Sequence, residues 1–232
     1  MPIHAGPVLS RKSPLPAALV LFAFQQNGSA DGAAPASEIP DSASGPFRAI
    51  IRSGDFKGKA GETVLGYPEG KEPRRMVLAG LGKIQEFSLP RLRKSAAAAA
   101  AILRGRGVNR WDLLLPVLPK GRDVAEAAAA FAAEGALFGG YDPKALATKP
   151  KSPRTEPDVT IHPHRAEDAR AAREGARRGE ILGRAVTLSR ELGNLPGNVM
   201  TPTRLAIEAR KAARPRGIRF RALGPAEMRR LG

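Results

Sequence analysis

Cysteine is absent from the 232 residues, which excludes a disulfide framework, a thiolate zinc site and a cysteine nucleophile. The absence fits a reducing, cytoplasmic setting. Histidine is almost as scarce: only His4, His162 and His164 are present, so few imidazole-based metal or acid–base designs can be assembled. Aromatic residues make up 5% of the chain, with a single tryptophan. The core must therefore be built from Ala, Leu, Val and Ile. No apolar run approaches the roughly 20 residues that a membrane-spanning helix needs, which argues against a membrane protein. Arg11 and Lys12 before an apolar stretch over residues 15–24 sketch a secretion signal. Pro14 and Pro16 interrupt that stretch, and residues 17–24 have the length and composition of a buried strand.

Positive charge is plentiful. The chain carries 38 Lys+Arg against 22 Asp+Glu, a net charge of +16. The excess is uneven: Arg165–Gly232 holds 16 basic and 7 acidic residues. Such an excess favours salt-sensitive contact with nucleic acid or other polyanions. The simpler reading, an Arg-rich composition with solvated basic faces, carries more weight. Hydrophobic residues at 42% are enough for a real core, and 232 residues suggest one full domain plus part of another.

Along the chain, residues 17–24 predict a first strand, and residues 25–46, polar and rich in Gly, Ser, Ala and Pro, predict a loop. Residues 48–51 suggest a short strand and residues 56–61 a Gly/Lys turn. Two further strands are expected at 63–67 and 75–79, joined through a turn at 68–73. Ser88 is placed to cap a helix running to Gly105, with Pro90 in its first turn where a missing N–H costs little. Residues 112–118 read as another strand, with Pro116 marking an edge or a strand end. Asp123 is placed to cap an Ala-rich helix over 124–138. A Pro/Lys loop at 144–157 and a short strand at 158–161 follow. Strands alternating with helices indicate an α/β sandwich around a mostly parallel or mixed sheet.

A long helix is expected over 166–192, with Arg170, Arg173, Arg177 and Arg184 roughly on one face. Pro196 and Gly197 break it, and Thr201 caps another helix with Pro202 at its first position. Residues 218–223 alternate apolar and basic, like a strand with one buried face, and residues 225–231 begin a last helix. One strand and one helix cannot close a sheet, so residues 194–232 read as the opening of a second, truncated domain. Its unpartnered segment predicts marginal solubility.

Local motifs exclude more than they assign. Gly54-Asp-Phe-Lys-Gly58-Lys59 lacks the spacing and the hydroxyl residue of a P-loop, and Gly80-Leu-Gly82-Lys83 has Gln85 where a dinucleotide loop needs its third glycine. Both read as turns that need positive φ. In His162-Pro163-His164 the proline splays the two rings, which predicts a solvated loop and not a metal pair. Neither histidine region looks like a buried base, and no G-x-S-x-G motif supports serine catalysis. Asn27-Gly-Ser29 fits a glycosylation sequon only in a secreted chain and is otherwise a turn.

Two stretches together carry a family resemblance. One is Phe56-Lys-Gly-Lys-Ala-Gly-Glu62 with Arg75-Met-Val-Leu-Ala-Gly-Leu-Gly-Lys83 and the Ala-rich helix after Arg91. The other, more specific, is Arg190-Glu-Leu-Gly-Asn-Leu-Pro-Gly-Asn-Val-Met-Thr-Pro-Thr-Arg-Leu-Ala206. Together they resemble the leucyl aminopeptidase (cytosol aminopeptidase) family. The resemblance implies a macro-domain-like, three-layer α/β domain with a mixed sheet over residues 1–165. A linker helix over 166–193 and an incomplete start of the α/β catalytic domain over 194–232 follow. For a full-length member it implies a homo-hexamer cutting amino-terminal residues from peptides. Two divalent metals (zinc, manganese or magnesium), held by a lysine, aspartates and a glutamate, activate its water. The family's N-T-D-A-E-G-R segment does not occur here. No catalytic, cofactor-binding or metal residue is therefore assigned to this chain, and it is expected to be an inactive amino-terminal fragment. The alternative is a basic nucleic-acid-binding or interaction module, with weak DNA contact and no catalysis.

Overall fold

The computed structural model describes residues 3–10, 12–13, 16–26, 33–36, 38–68, 74–141 and 156–232. It divides into two compact units, Met1–Thr187 and Leu188–Gly232.

The first unit is a sheet layered between helices. Its strands are β1 (Ile3–Ala5), β2 (Ala18–Gln25), β3 (Ala33–Pro35), β4 (Thr63–Gly66), β5 (Arg75–Lys83), β6 (Arg110–Leu114) and β7 (Asp158–His162). The sheet runs β1-β7-β6-β2-β5-β4, with β3 added to the end of β2. Neighbours from β1 through β5 pair in parallel, whereas β4 and β3 pair antiparallel. The sheet is therefore mixed. β2 lies between β5 and β6 and is buried on both faces over Ala18–Ala23, which is why it reads as an unbroken apolar run and not an alternation.

Helices α2 (Leu89–Gly105), α3 (Arg122–Gly140) and α4 (Ala169–Asn194) follow β5, β6 and β7 in the chain. Val20, Phe22, Val77, Leu81, Trp111, Leu113, Val159 and Ile161 face a core shared with Leu92, Ala96 and Leu103 of α2, Ala129 and Ala133 of α3, and Ala172 of α4. The alanines let the helices close on one another. Glycine takes this further: a Cβ on Gly139 of α3 would stand 2.0 Å from the Ala97 carbonyl oxygen of α2. On α4, a Cβ at Gly179 would stand 2.2 Å from the Ala130 oxygen of α3. The opposite sheet face carries Leu19, Leu21, Met76, Leu78 and Leu114, covered by Phe56 and by α1 (Asp41–Ser53) through Ala43, Phe47 and Ile51. The three layers are helices, sheet and α1.

Several expectations are corrected here. Residues 48–51 belong to α1, not to a strand, and α1 with β3 occupies much of the segment read as loop over 25–46. Ala43, Phe47 and Ile51 recur every fourth residue on one buried face, a period that four residues alone cannot display. β1 carried no sequence signal at three residues. β5 continues through Gly80–Lys83 instead of ending at Ala79. β6 stops at Leu114 and lies between β2 and β7, so Pro116 marks a strand end and not an edge. Most of the expected loop at 144–157, the tip of the turn at 68–73 and Asn27-Gly-Ser29 lie outside the described residues.

In the second unit, α5 (Pro202–Ala213) and α6 (Pro225–Leu231) occur where expected. The Thr201 side chain caps α5 by accepting from the Arg204 N–H at 3.3 Å. Residues 218–223 correct the sequence reading: they form no strand. Alternation marks one face of a strand, but a strand also needs a neighbour to take its N–H and C=O groups, and none pairs with this segment among the described residues.

Candidate functional site

The Gly/Lys turn at 56–61 is a clasp laid over β5. Gly82 N–H donates to the Gly58 carbonyl at 2.9 Å, Gly61 N–H to Gly80 O at 3.0 Å, and Gly80 N–H to Glu62 O at 2.8 Å. The Ser95 hydroxyl of α2, itself buried, donates to the Gly80 carbonyl at 2.6 Å. Backbone N–H groups of Lys57 and Lys59, which could cradle a phosphate, both donate to Glu62 Oε2, at 3.0 and 2.9 Å. An internal carboxylate thus occupies the position a ligand anion would take. Gly58 and Gly82 have φ of 74° and 78°. Gly80 does not have positive φ. It is glycine because a Cβ would stand 2.1 Å from the Lys59 carbonyl.

His162 departs most from its sequence reading. It is not in a solvated loop but on β7, 3% exposed. Nε2 lies 2.6 Å from Asp112 Oδ2 on β6, and Nδ1 lies 2.7 Å from the Pro7 carbonyl oxygen. Pro163 signals a turn, but the turn starts one residue after His162. The missed clue is Asp112, a lone carboxylate in an apolar strand. A half-buried acid there requires a partner. Along the same sheet face, Asp158 meets Arg110 Nε at 2.8 Å and His4 Nε2 at 3.3 Å. His164 lines a shallow crevice at the carboxyl ends of β6 and β7, with Leu115, Ala125, Arg165 and Asp168. Its volume is about 20 Å³, room for roughly one water molecule, and Arg165 is already engaged with Leu118 O at 3.2 Å and Asp168 at 3.7 Å.

The arginine face of α4 is partly neutralised. Arg170 pairs with Glu174 at 3.2 Å, and Arg184 with Glu180 at 3.0 Å and Glu156 at 2.9 Å. Arg122 of α3 reaches Glu174 at 2.7 Å. Hydrogen bonds from Arg122 and then Arg170 hold the Glu174 carboxyl below the usual glutamate range, and the same contact raises Arg122. Arg173 and Arg177 are exposed and form no ion pair among the described residues.

A two-metal centre needs several carboxylates converging on cations about 3.5–4 Å apart. Among the described residues no group of three or more His, Asp or Glu is placed to hold an ion. The approaches that exist are pairs, and both ring nitrogens of His162 are already bonded. The residues described do not fit such a centre. No helix among them is long and apolar enough to cross a membrane.

The cytosol aminopeptidase family, N-terminal domain, matches residues 20–150. A probable cytosol aminopeptidase of Roseiflexus castenholzii is 40% identical over 191 residues, covering 81% of this chain and 38% of that protein. One from Halorhodospira halophila is 37% identical over 204 residues, covering 85% and 40%. Among solved structures, a tomato leucine aminopeptidase mutant shares the fold with a TM-score of 0.68 at 20% identity, over 92% of this chain and 42% of that one. The bottromycin maturation enzyme BotP, solved in complex with Mn, gives 0.64 at 20% identity, over 93% and 40%. The chain spans about two fifths of the length of the curated relatives it matches. With a family match over more than half its residues, the chain belongs to the cytosol aminopeptidase family and contains that family's amino-terminal domain.

Proposed function

We propose that this chain is the amino-terminal portion of a peptide-cleaving, two-metal aminopeptidase and does not hydrolyse peptides by itself. The observation that carries the reading is the match to the family's N-terminal domain over residues 20–150, together with coverage of only 38–40% of the two relatives described above. The absence of an N-T-D-A-E-G-R segment from the sequence points the same way. In this reading residues 1–165 are the macro-like domain, 166–193 the linker helix and 194–232 the beginning of the peptidase domain. Peptide binding, the divalent metals and hexamer formation then belong to the longer protein. Exposed Val199, Leu205, Ile207, Ile218 and Phe220 are the apolar side chains expected to pack against the rest of the peptidase domain.

The test is an assay of the purified chain on leucine p-nitroanilide with manganese. The expected result is no release above background, and sustained turnover refutes the reading. Sequencing the DNA downstream of Gly232 adds an independent check: an open frame encoding N-T-D-A-E-G-R supports it.

A second reading, contact with nucleic acid, is favoured by exposed Arg173 and Arg177 of α4, which form no ion pair among the described residues. A DNA gel shift that weakens steeply with salt supports it, and no shift at low salt removes it.

A further inference from the structure

His162 reaches two oxygens at once, and both are acceptors when Asp112 is ionised: Asp112 Oδ2 at 2.6 Å and the Pro7 carbonyl at 2.7 Å. A neutral imidazole has one N–H and one lone pair, so it can satisfy one of them and turns a lone pair toward the other. Only a ring with protons on both nitrogens donates to both. The segment holding Pro7 is drawn tightly onto that ring. A Cβ on Gly6 would stand 2.5 Å from His162 Cε1 and 2.7 Å from Thr160 Cγ2. Gly6 N–H donates to the Ile161 carbonyl at 2.9 Å, extending the short pairing of Ile3–Ala5 with Val159–Ile161.

Three residues of edge strand give little hold of their own. The bond from the His162 ring is charge-assisted on the Asp112 side and ties three chain segments together: β6, β7 and the stretch after β1. Other ionisable groups on this side of the sheet are more exposed and bonded elsewhere or facing solvent. His4 and Arg110 meet Asp158, while Lys12 and, on α1, Arg48 and Arg52 are exposed. Asp112 is the charged group bonded to the ring among the described residues.

We propose that His162, bonded at once to Asp112 and to the Pro7 carbonyl, is the clasp that fastens the amino-terminal strand to the sheet.

The measurement uses the uniformly ¹⁵N-labelled chain, with hydrogen exchange reporting protection of the Gly6 amide. In His162→Gln, which keeps hydrogen-bonding groups but not the ring that spans both oxygens, the Gly6 protection factor is expected to fall about tenfold or more, the scale of one lost charge-assisted bond. Val20, in the sheet centre, keeps its protection as an internal control, which separates release of the strand from general unfolding. Gly6 protection that is unchanged in His162→Gln, or that falls only together with that of Val20, overturns the proposal.

Discussion

Glycine stands in α3 and α4 where helix propensity argues against it. Replacing glycine by alanine inside an exposed helix normally stabilises by about 1 kcal/mol. At Gly139 the same change places a methyl group 2.0 Å from a backbone oxygen of α2, and backbone cannot swing aside as a long side chain can. Gly139→Ala is therefore expected to destabilise the chain by about 1–3 kcal/mol, the range for overpacking a close-packed interior, measured as a lower urea midpoint. An unchanged or higher midpoint contradicts the close approach. Charge at residue scale gives a pH signature. Because Arg122 and Arg170 hold the Glu174 carboxyl below its usual range, the stabilisation is present above that range and fades as pH falls through the lowered value. Glu174→Gln should cost stability near neutral pH, and the mutant and parent denaturation curves should converge in acid. A difference that persists unchanged in acid rules this out. Residue-level reading of the sequence did less well at His162: its bonds come from Pro7, 155 residues away, and Asp112, 50 residues away, and no local pattern encodes such partners.

At the scale of elements, legibility followed length and period. β2 and β5 were readable as apolar runs because burial on both faces leaves no alternation to confuse. α2 and α3 were readable because long alanine-rich segments between Gly and Pro signals have few other solutions. α1 was not. Its apolar positions are few, Pro46 stands inside it, and its helical period spans a segment dominated by turn-forming residues. Yet α1 is the helix that covers the second sheet face. Phe47, 4% exposed against Leu and Met side chains of β2 and β5, is the test of that role. Phe47→Ala is expected to cost about 3–5 kcal/mol in denaturant unfolding, the range for emptying a buried aromatic site. A loss under ~1 kcal/mol, typical of a surface position, is incompatible with the layer as described. Residues 218–223 teach the converse. Their alternation suits a strand, but pairing is a property of two segments, and one segment cannot announce it.

For the molecule as a whole, the fold and the family were legible together. The Phe56–Glu62 and Arg190–Ala206 stretches carry the family resemblance in the sequence, and the former is a backbone clasp whose glycines answer close approach and positive φ. The identity of relatives at 37–40% and the shared fold with a leucine aminopeptidase agree with that reading. Function at this scale turns on the donor set: among the described residues no three carboxylates or histidines converge, and the carboxylates that engage partners do so on Arg122 and Arg170, on His162 and on the backbone of the clasp. Titration of the purified chain with manganese, followed by calorimetry, tests this most directly. The account predicts no saturable binding of paired ions, only weak and salt-screened heats. Stoichiometric uptake of two manganese ions per chain, held against competing salt, contradicts it.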